Sequence, residues 1–225
     1  MGDWSTMVKK SKKLSTLLGA VEVAKKDLNL ELKNKTSISY MLLFAITSVF
    51  LFSIAGVKGE SFIPALMLVL FFTNMLGMSM SFLREVDLET IEGLRASPLT
   101  IQQIIIGKTI FNLILAVVIF LVTYPLAYAL FEVKGDFYLG FITFLTINIA
   151  MSIVVSSLSP LLAYSRVREL LFPVMLFPIL FPTILTGVQF VNSALNGFID
   201  QFKFYFIIFY VLALLLLSNL LAEYL

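Results

Sequence analysis

Apolar residues run almost unbroken through six stretches of the chain, at 39–57, 61–83, 104–131, 137–164, 170–190 and 204–221. Each is about as long as the ~20 residues that a helix needs to cross the hydrocarbon of a bilayer. Short polar runs punctuate them: Lys58-Gly59-Glu60 between the first two, and 132–136 between the third and fourth. Barrel strands would alternate over about ten residues, and these stretches are too long and too continuous for that. The pattern predicts an all-α integral membrane protein with six transmembrane helices. Lys108 falls near the start of the third stretch, where a lysine is expected to snorkel to the interface.

Two segments outside the spans carry helical periodicity of a different kind. Before the first span, Leu14, Leu17, Leu18, Val21, Ala24, Leu28 and Leu32 fall at helical spacing, with Lys25, Lys26, Asp27, Glu31 and Lys33 between them. This predicts an amphipathic interfacial helix over 14–36, or else a solvated basic helix that only sets topology, preceded by a mobile basic tail at 1–13. Between the second and third spans, Glu85, Glu89 and Glu92 share one helical face and Leu88, Ile91 and Leu94 another. That predicts a short amphipathic helix over about 85–97, stopped at Ser97-Pro98 because the residue before proline avoids the helical region. The next helix has two candidate caps: Ser97 with Pro98 at the first helical position, or a capping box of Thr100 with Gln103.

Charge sets the expected orientation. Thirteen lysines and arginines fall at the N-terminus and in the loops on its side of six spans, against three (Lys58, Lys134, Lys203) on the other. Basic loops stay in the cytoplasm, so both termini are expected there, in a multi-pass protein of the plasma (inner) membrane. The first apolar run starts too far along, and is too long, for a cleavable signal peptide.

Composition removes whole classes of chemistry. The 225 residues are 60% hydrophobic and 13% charged, with no His and no Cys. Thiol chemistry, disulfides, the usual zinc sites and an imidazole base are excluded. No G-x-x-x-x-G-K-[ST] loop is present, so the chain does not bind ATP in that manner. The spans hold no acid, which argues against a proton-coupled carrier. Nothing points to nucleic acid. Asn148, Ser152, Ser156 and Ser159 form a polar stripe on the fourth span, and Asn74, Gly77 and Ser81 a similar one on the second. These read as a translocation path or subunit seam, or as ordinary helix packing, which in membranes uses small and hydroxyl residues. Pro173, Pro178 and Pro182 should kink or break the fifth span, as a hinge or a static bend. Residues 189–203 have the composition for a short re-entrant or surface helix.

The run 82–98 resembles the loop motif of type-2 (ABC-2) ABC transporter membrane subunits, F-x-x-E leading to T-[IL]-E-x-L-x-x-S-P. The matching residues are Phe82, Glu85, Thr90, Ile91, Glu92, Leu94, Ser97 and Pro98. Glu89 stands where many members have Gly, and the glycine here is Gly93. Within that superfamily the chain is similar to the CcmB family. The entry segment Lys25-Lys26-Asp27-Leu28-Asn29-Leu30-Glu31-Leu32-Lys33, the six-span plan and the prolines from Pro178 to Pro182 carry that likeness, over roughly 20–221.

The resemblance implies a permease subunit without an ATPase or catalytic site of its own. It couples ATP hydrolysis on a partner to haem export, or to release of a haem-loaded chaperone, in cytochrome c maturation. It implies that Glu85, Leu88, Glu89, Ile91, Glu92, Leu94, Arg95, Ser97 and Pro98 form a coupling helix seated on the ATPase. The implied partners are a CcmA-like ATPase and a second membrane half, either another copy or a CcmC-like haem-handling subunit. A small CcmD-like subunit and a CcmE-like haem chaperone complete the set. No cofactor is expected on this chain itself; ATP belongs to the partner and haem to the complex. An ABC-2 exporter of a drug, lipid or polysaccharide, and a non-transporting scaffold, are the alternatives.

Overall fold

The computed structural model describes residues 3–87, 100–163 and 168–222. Seven α-helices account for nearly all of them: α1 (Asp3–Asn34), α2 (Thr36–Ile54), α3 (Phe62–Asp87), α4 (Ile101–Leu130), α5 (Phe137–Ala163), α6 (Arg168–Leu195) and α7 (Gln201–Ala222). A single 3-10 turn, Gly59–Ser61, leads into α3. Six of the helices, α2 to α7, are long and apolar enough to cross a membrane.

Helices α3 and α5 form the centre. Within their apolar windows 67% and 61% of residues are buried, against 22% for α2 and 17% for α7, which therefore sit at the rim. The largest cluster gathers Phe62, Phe71, Tyr124, Phe144 and Phe190 from four helices. Phe62 meets Tyr124, Phe131 and Phe144 edge-on, at centroid separations of 5.3 to 6.2 Å. Aromatic edges pack onto faces in this way because the ring edge is positive and the face negative.

The three turns on the side away from the N-terminus are built alike. After α2, Val57 N bonds Phe52 O and Gly56 N bonds Ser53 O. After α4, Val133 N bonds Tyr128 O and Glu132 N bonds Ala129 O. After α6, Phe198 N bonds Ser193 O and Gly197 N bonds Ala194 O. Each is a Schellman ending, which needs a left-handed residue to satisfy the last carbonyls. Two use glycine, and the third uses Glu132 at φ 52°. The returning helices α5 and α7 are capped by acids: Asp136 accepts from Leu139 N, and Asp200 from Phe202 N and Lys203 N.

Several elements differ from the sequence expectation. The backbone is helical from Asp3, so α1 includes the stretch read as a tail. The second span continues through Asp87, past the start expected for the short loop helix. Helix α6 runs on past Pro173, Pro178 and Pro182, so of the kink or break expected there the break does not occur. Neighbouring helices in a bundle supply the partners that prolines remove, so the helix need not break. No re-entrant helix occupies 189–203: α6 continues to Leu195, and α7 begins at Gln201 after one tight turn.

Candidate coupling site

The candidate site lies at the end of the bundle where α3 stops and α4 starts. Of the residues assigned to the loop helix, Leu88, Glu89, Ile91, Glu92, Leu94, Arg95, Ser97 and Pro98 lie outside the described residues. Glu85 belongs to the last turn of α3. What the structure describes is the framework on either side of them.

Helix α4 starts cleanly. Thr100 Oγ1 accepts from Gln103 N at 3.3 Å, and Gln103 Oε1 accepts from Thr100 N at 2.7 Å. This reciprocal capping box satisfies two otherwise orphaned donors, and it decides between the two caps that the sequence offers.

Helix α1 docks along this end of α4. Its buried face is Ala20, Val23, Ala24, Asp27 and Glu31, while Leu17, Leu18, Val21 and Leu32 are half-exposed or more. At 100° per residue the buried set centres on one direction, and the leucines lie about a quarter-turn away. The small residues therefore face the bundle, and the leucines are free to enter lipid. Gly107 marks the closest approach: a Cβ there would sit 2.6 Å from Ala20 O and 2.6 Å from Val23 Cβ.

Lys108 does not snorkel. Its side chain is wholly buried, with Nζ 3.3 Å from Asp27 Oδ2. Docking of α1 closes the route to the interface and brings a carboxylate in its place. Asp27 Oδ1 lies 3.4 Å from Nζ of the half-exposed Lys26. One turn further along α1, the buried Glu31 accepts from Ile38 N at 2.9 Å. It thereby caps α2 from across the break at Lys35, the single residue between the two helices, itself left-handed at φ 52°.

Polar residues continue inward along the same edge of α4. Asn112, one turn past Lys108, donates from Nδ2 to Ser156 Oγ at 3.0 Å and to Ser152 Oγ at 3.3 Å. One turn further, Ala116 O accepts from Asn148 Nδ2 at 3.0 Å, and Asn148 Oδ1 accepts from Asn74 Nδ2 at 2.8 Å. The stripe Asn148–Ser152–Ser156 is thus buried inside one subunit and joins α3, α4 and α5. Of the two readings of that stripe, helix packing is the one that these contacts fit. The side chains of Ser81 and Ser159 lie outside the described residues.

On the opposite side, Lys58 pairs with Glu132 and Lys203 with Asp200. The lysine hydrogen bond holds each carboxyl below its ordinary range. No group of three or more His, Cys, Asp or Glu able to hold a metal occurs among the described residues.

Asp27, Glu31, Lys108 and Asn112 are the residues that sequence reading does not assign to a site. A signal exists: a lysine inside an otherwise uncharged span needs a partner, and Asp27 and Glu31 are four apart on one face of the adjoining helix. Among the hinge candidates, Pro178 is exposed and Pro182 partly buried, and the side chain of Pro173 is not described.

Comparison with known proteins gives one match. The family model described as "CcmB protein" aligns with residues 19–224. No curated protein matches the chain, and no solved structure does.

Proposed function

The chain belongs to the CcmB family, the membrane permease subunits of haem exporters in cytochrome c maturation, and we propose that its loop between α3 and α4 receives the motion of the ATPase. The family works in an ABC transporter complex. It contributes the multi-pass membrane part and no catalytic ATPase domain, while a separate subunit hydrolyses ATP.

In this reading the loop over 88–99, together with Glu85 at the end of α3, seats in a basic groove of a CcmA-like ATPase. Glu85, Glu89 and Glu92 supply the charge, and Leu88, Ile91 and Leu94 the apolar face. Arg95, Ser97 and Pro98 lead into α4. The N-terminus, the loop and the C-terminus all lie in the cytoplasm in this reading, which the lysine and arginine bias supports. The observation that carries the reading is the Thr100–Gln103 capping box. A force applied at the loop meets a helix whose first turn is already closed, so it moves the span instead of unwinding its end.

Haem is cargo of the complex in this reading, and the absence of His and Cys from this chain agrees with its ligation by other subunits. A CcmC-like subunit or a second copy completes the membrane part, a small CcmD-like subunit joins it, and a CcmE-like chaperone takes over the haem. Charge reversal at Glu85 and Glu92 tests the docking. The ATPase is expected to be lost on co-purification, and a normal yield of complex with normal ATP hydrolysis overturns the reading.

A further inference from the structure

We propose that Asp27 and Lys108 are a positioning pair, which fixes α1 to α4 so that the two helices move as one body when the loop is displaced. The inference rests on the loop-coupling reading above and adds a second element to it.

Three observations meet at this point. The first is register. A Cβ at Gly107 would sit only 2.6 Å from both Ala20 O and Val23 Cβ, so the two backbones meet closely at this register. The second is the ion pair beside that contact. Lys108 is fully buried and Asp27 nearly so, at 3.3 Å. Buried pairs add little net stability over apolar residues of the same size, but pulling one partner away from the other is costly. The pair therefore penalises any arrangement in which α1 has left its place. The third is continuity. Lys108 is roughly 12 Å along the axis from Thr100, at 1.5 Å per residue. Below it, Glu31 holds Ile38 N, so α1 is tied to α2 across one residue. Displacement of α4 thus reaches α2 by two routes, directly where Met41 and Ala45 share a buried cluster with Phe111 and Leu115, and through α1.

The exposed leucines fit this role. Leu17, Leu18 and Val21 are at least half exposed and lie beside the docking face. They keep α1 in the membrane surface, while Gly107 and the ion pair hold it to the moving span.

The test uses the full complex in membranes and exploits the absence of cysteine from the chain. Ala24 lies on the docking face and is buried, so Ala24→Cys places a single thiol in the α1–α4 contact. In that background, Lys108→Met and Asp27→Asn are each expected to speed maleimide labelling at least tenfold. They should also lower the yield of c-type cytochromes at least tenfold, with the ATPase still co-purifying in its normal ratio. The double variant Lys108→Met with Asp27→Leu removes both charges of the pair. It is expected to return both labelling and cytochrome yield to within threefold of the parent, and it carries the test if the single variants do not accumulate.

Four results overturn the proposal. They are single variants that label slowly, fast labelling with normal cytochrome yield, loss of the ATPase from the single variants, and a double variant that labels slowly but still makes no cytochrome. Failure of the loop reading shows elsewhere, because charge reversal at Glu85 and Glu92 is read by ATPase co-purification with Ala24→Cys still protected.

Discussion

Asn74 donates from Nδ2 to Asn148 Oδ1 at 2.8 Å, joining α3 to α5 at a point buried from every side. The same Nδ2 also reaches Leu70 O one turn back, at 2.8 Å. Asn148 spends its own Nδ2 on Ala116 O of α4. One amide thus ties three helices, and its partner keeps a local bond if the tie is cut.

That arrangement sets the expected cost of losing Asn148. Interhelical hydrogen bonds within membranes average about 0.6 kcal/mol. Asn148→Leu removes two, so a loss near 1 kcal/mol is expected in denaturation by mixed micelles. Cytochrome maturation should fall only as far as protein yield does. If maturation collapses while stability is unchanged, the stripe belongs to a translocation path and not to helix packing.

Gly77 lies against the same polar column. A Cβ on it would sit 2.7 Å from Asn112 Oδ1 and 2.8 Å from Met41 Cε. The methionine end can swing away, but Asn112 is held by Ser152 and Ser156. Overpacking a filled interior typically costs about 1–3 kcal/mol, and Gly77→Ala is expected in that range. At Gly187 a Cβ would meet only the flexible ends of Ile147 and Met67, at 3.2 Å. Gly187→Ala should therefore melt close to the parent, and the difference between the two melting temperatures is the measurement.

These contacts also show where the sequence is informative. Span number and chain reversals follow from length and apolarity alone, because the bilayer fixes both. The Thr100–Gln103 cap is local chemistry, so its two residues announce it by their spacing alone. Docking of α1 is hidden for a physical reason. In water an apolar stripe marks the face that seeks the core. In lipid the leucines of α1 are content outside, and the packed face is the one with Ala20, Val23 and Ala24, whose small side chains let backbones approach. The stripe is therefore legible, but it names the lipid face. The expectation for Lys108 fails for the same reason: snorkelling is right for a bare helix end, and α1 covers this one.

Glu132 offers a check on the outer turns. It sits at φ 52°, where an L side chain crowds the following carbonyl and glycine does not. Its equivalents in the other two Schellman endings are Gly56 and Gly197. Glu132→Gly is therefore expected to raise the melting temperature at neutral pH, even though it gives up the exposed pair with Lys58. The pH dependence separates the two effects. The Lys58 hydrogen bond lowers the folded pKa of Glu132 from 4.5, so the pair's contribution is fully present above pH 4.5. It is lost as pH falls through the lowered value. The parent should lose stability in that acid range, and Glu132→Gly should lose less there. A parent and variant that fall in parallel would show that the pair contributes nothing.

Tyr210 bonds a carbonyl of the proline-bearing helix that the nearby Thr183 leaves unused. Tyr210 of α7 donates to Ile179 O at 2.7 Å, between Pro178 and Pro182. Thr183 lies four residues after Ile179, and its buried Oγ1 has no partner. Elsewhere in the bundle, threonines in that relation bond their own helix: Thr73 to Val69, Thr123 to Ile119 and Thr143 to Leu139. The tyrosine is therefore expected to hold Thr183 off Ile179 O. Removing the tyrosine hydroxyl lets a rotation of Thr183 replace the bond, so Tyr210→Phe alone is expected to cost little. Thr183→Val alone removes an unsatisfied buried hydroxyl and should be neutral or slightly stabilising. With both changed, no donor remains for the outer side of that carbonyl. The double variant should then be less stable than the sum of the single changes by about 0.5–1 kcal/mol, within the range of coupled neighbours. A double-mutant cycle in micelle denaturation measures the term directly. Strict additivity would mean that Thr183 never takes the carbonyl, and that the contact with α7 does not hold α6 between its prolines.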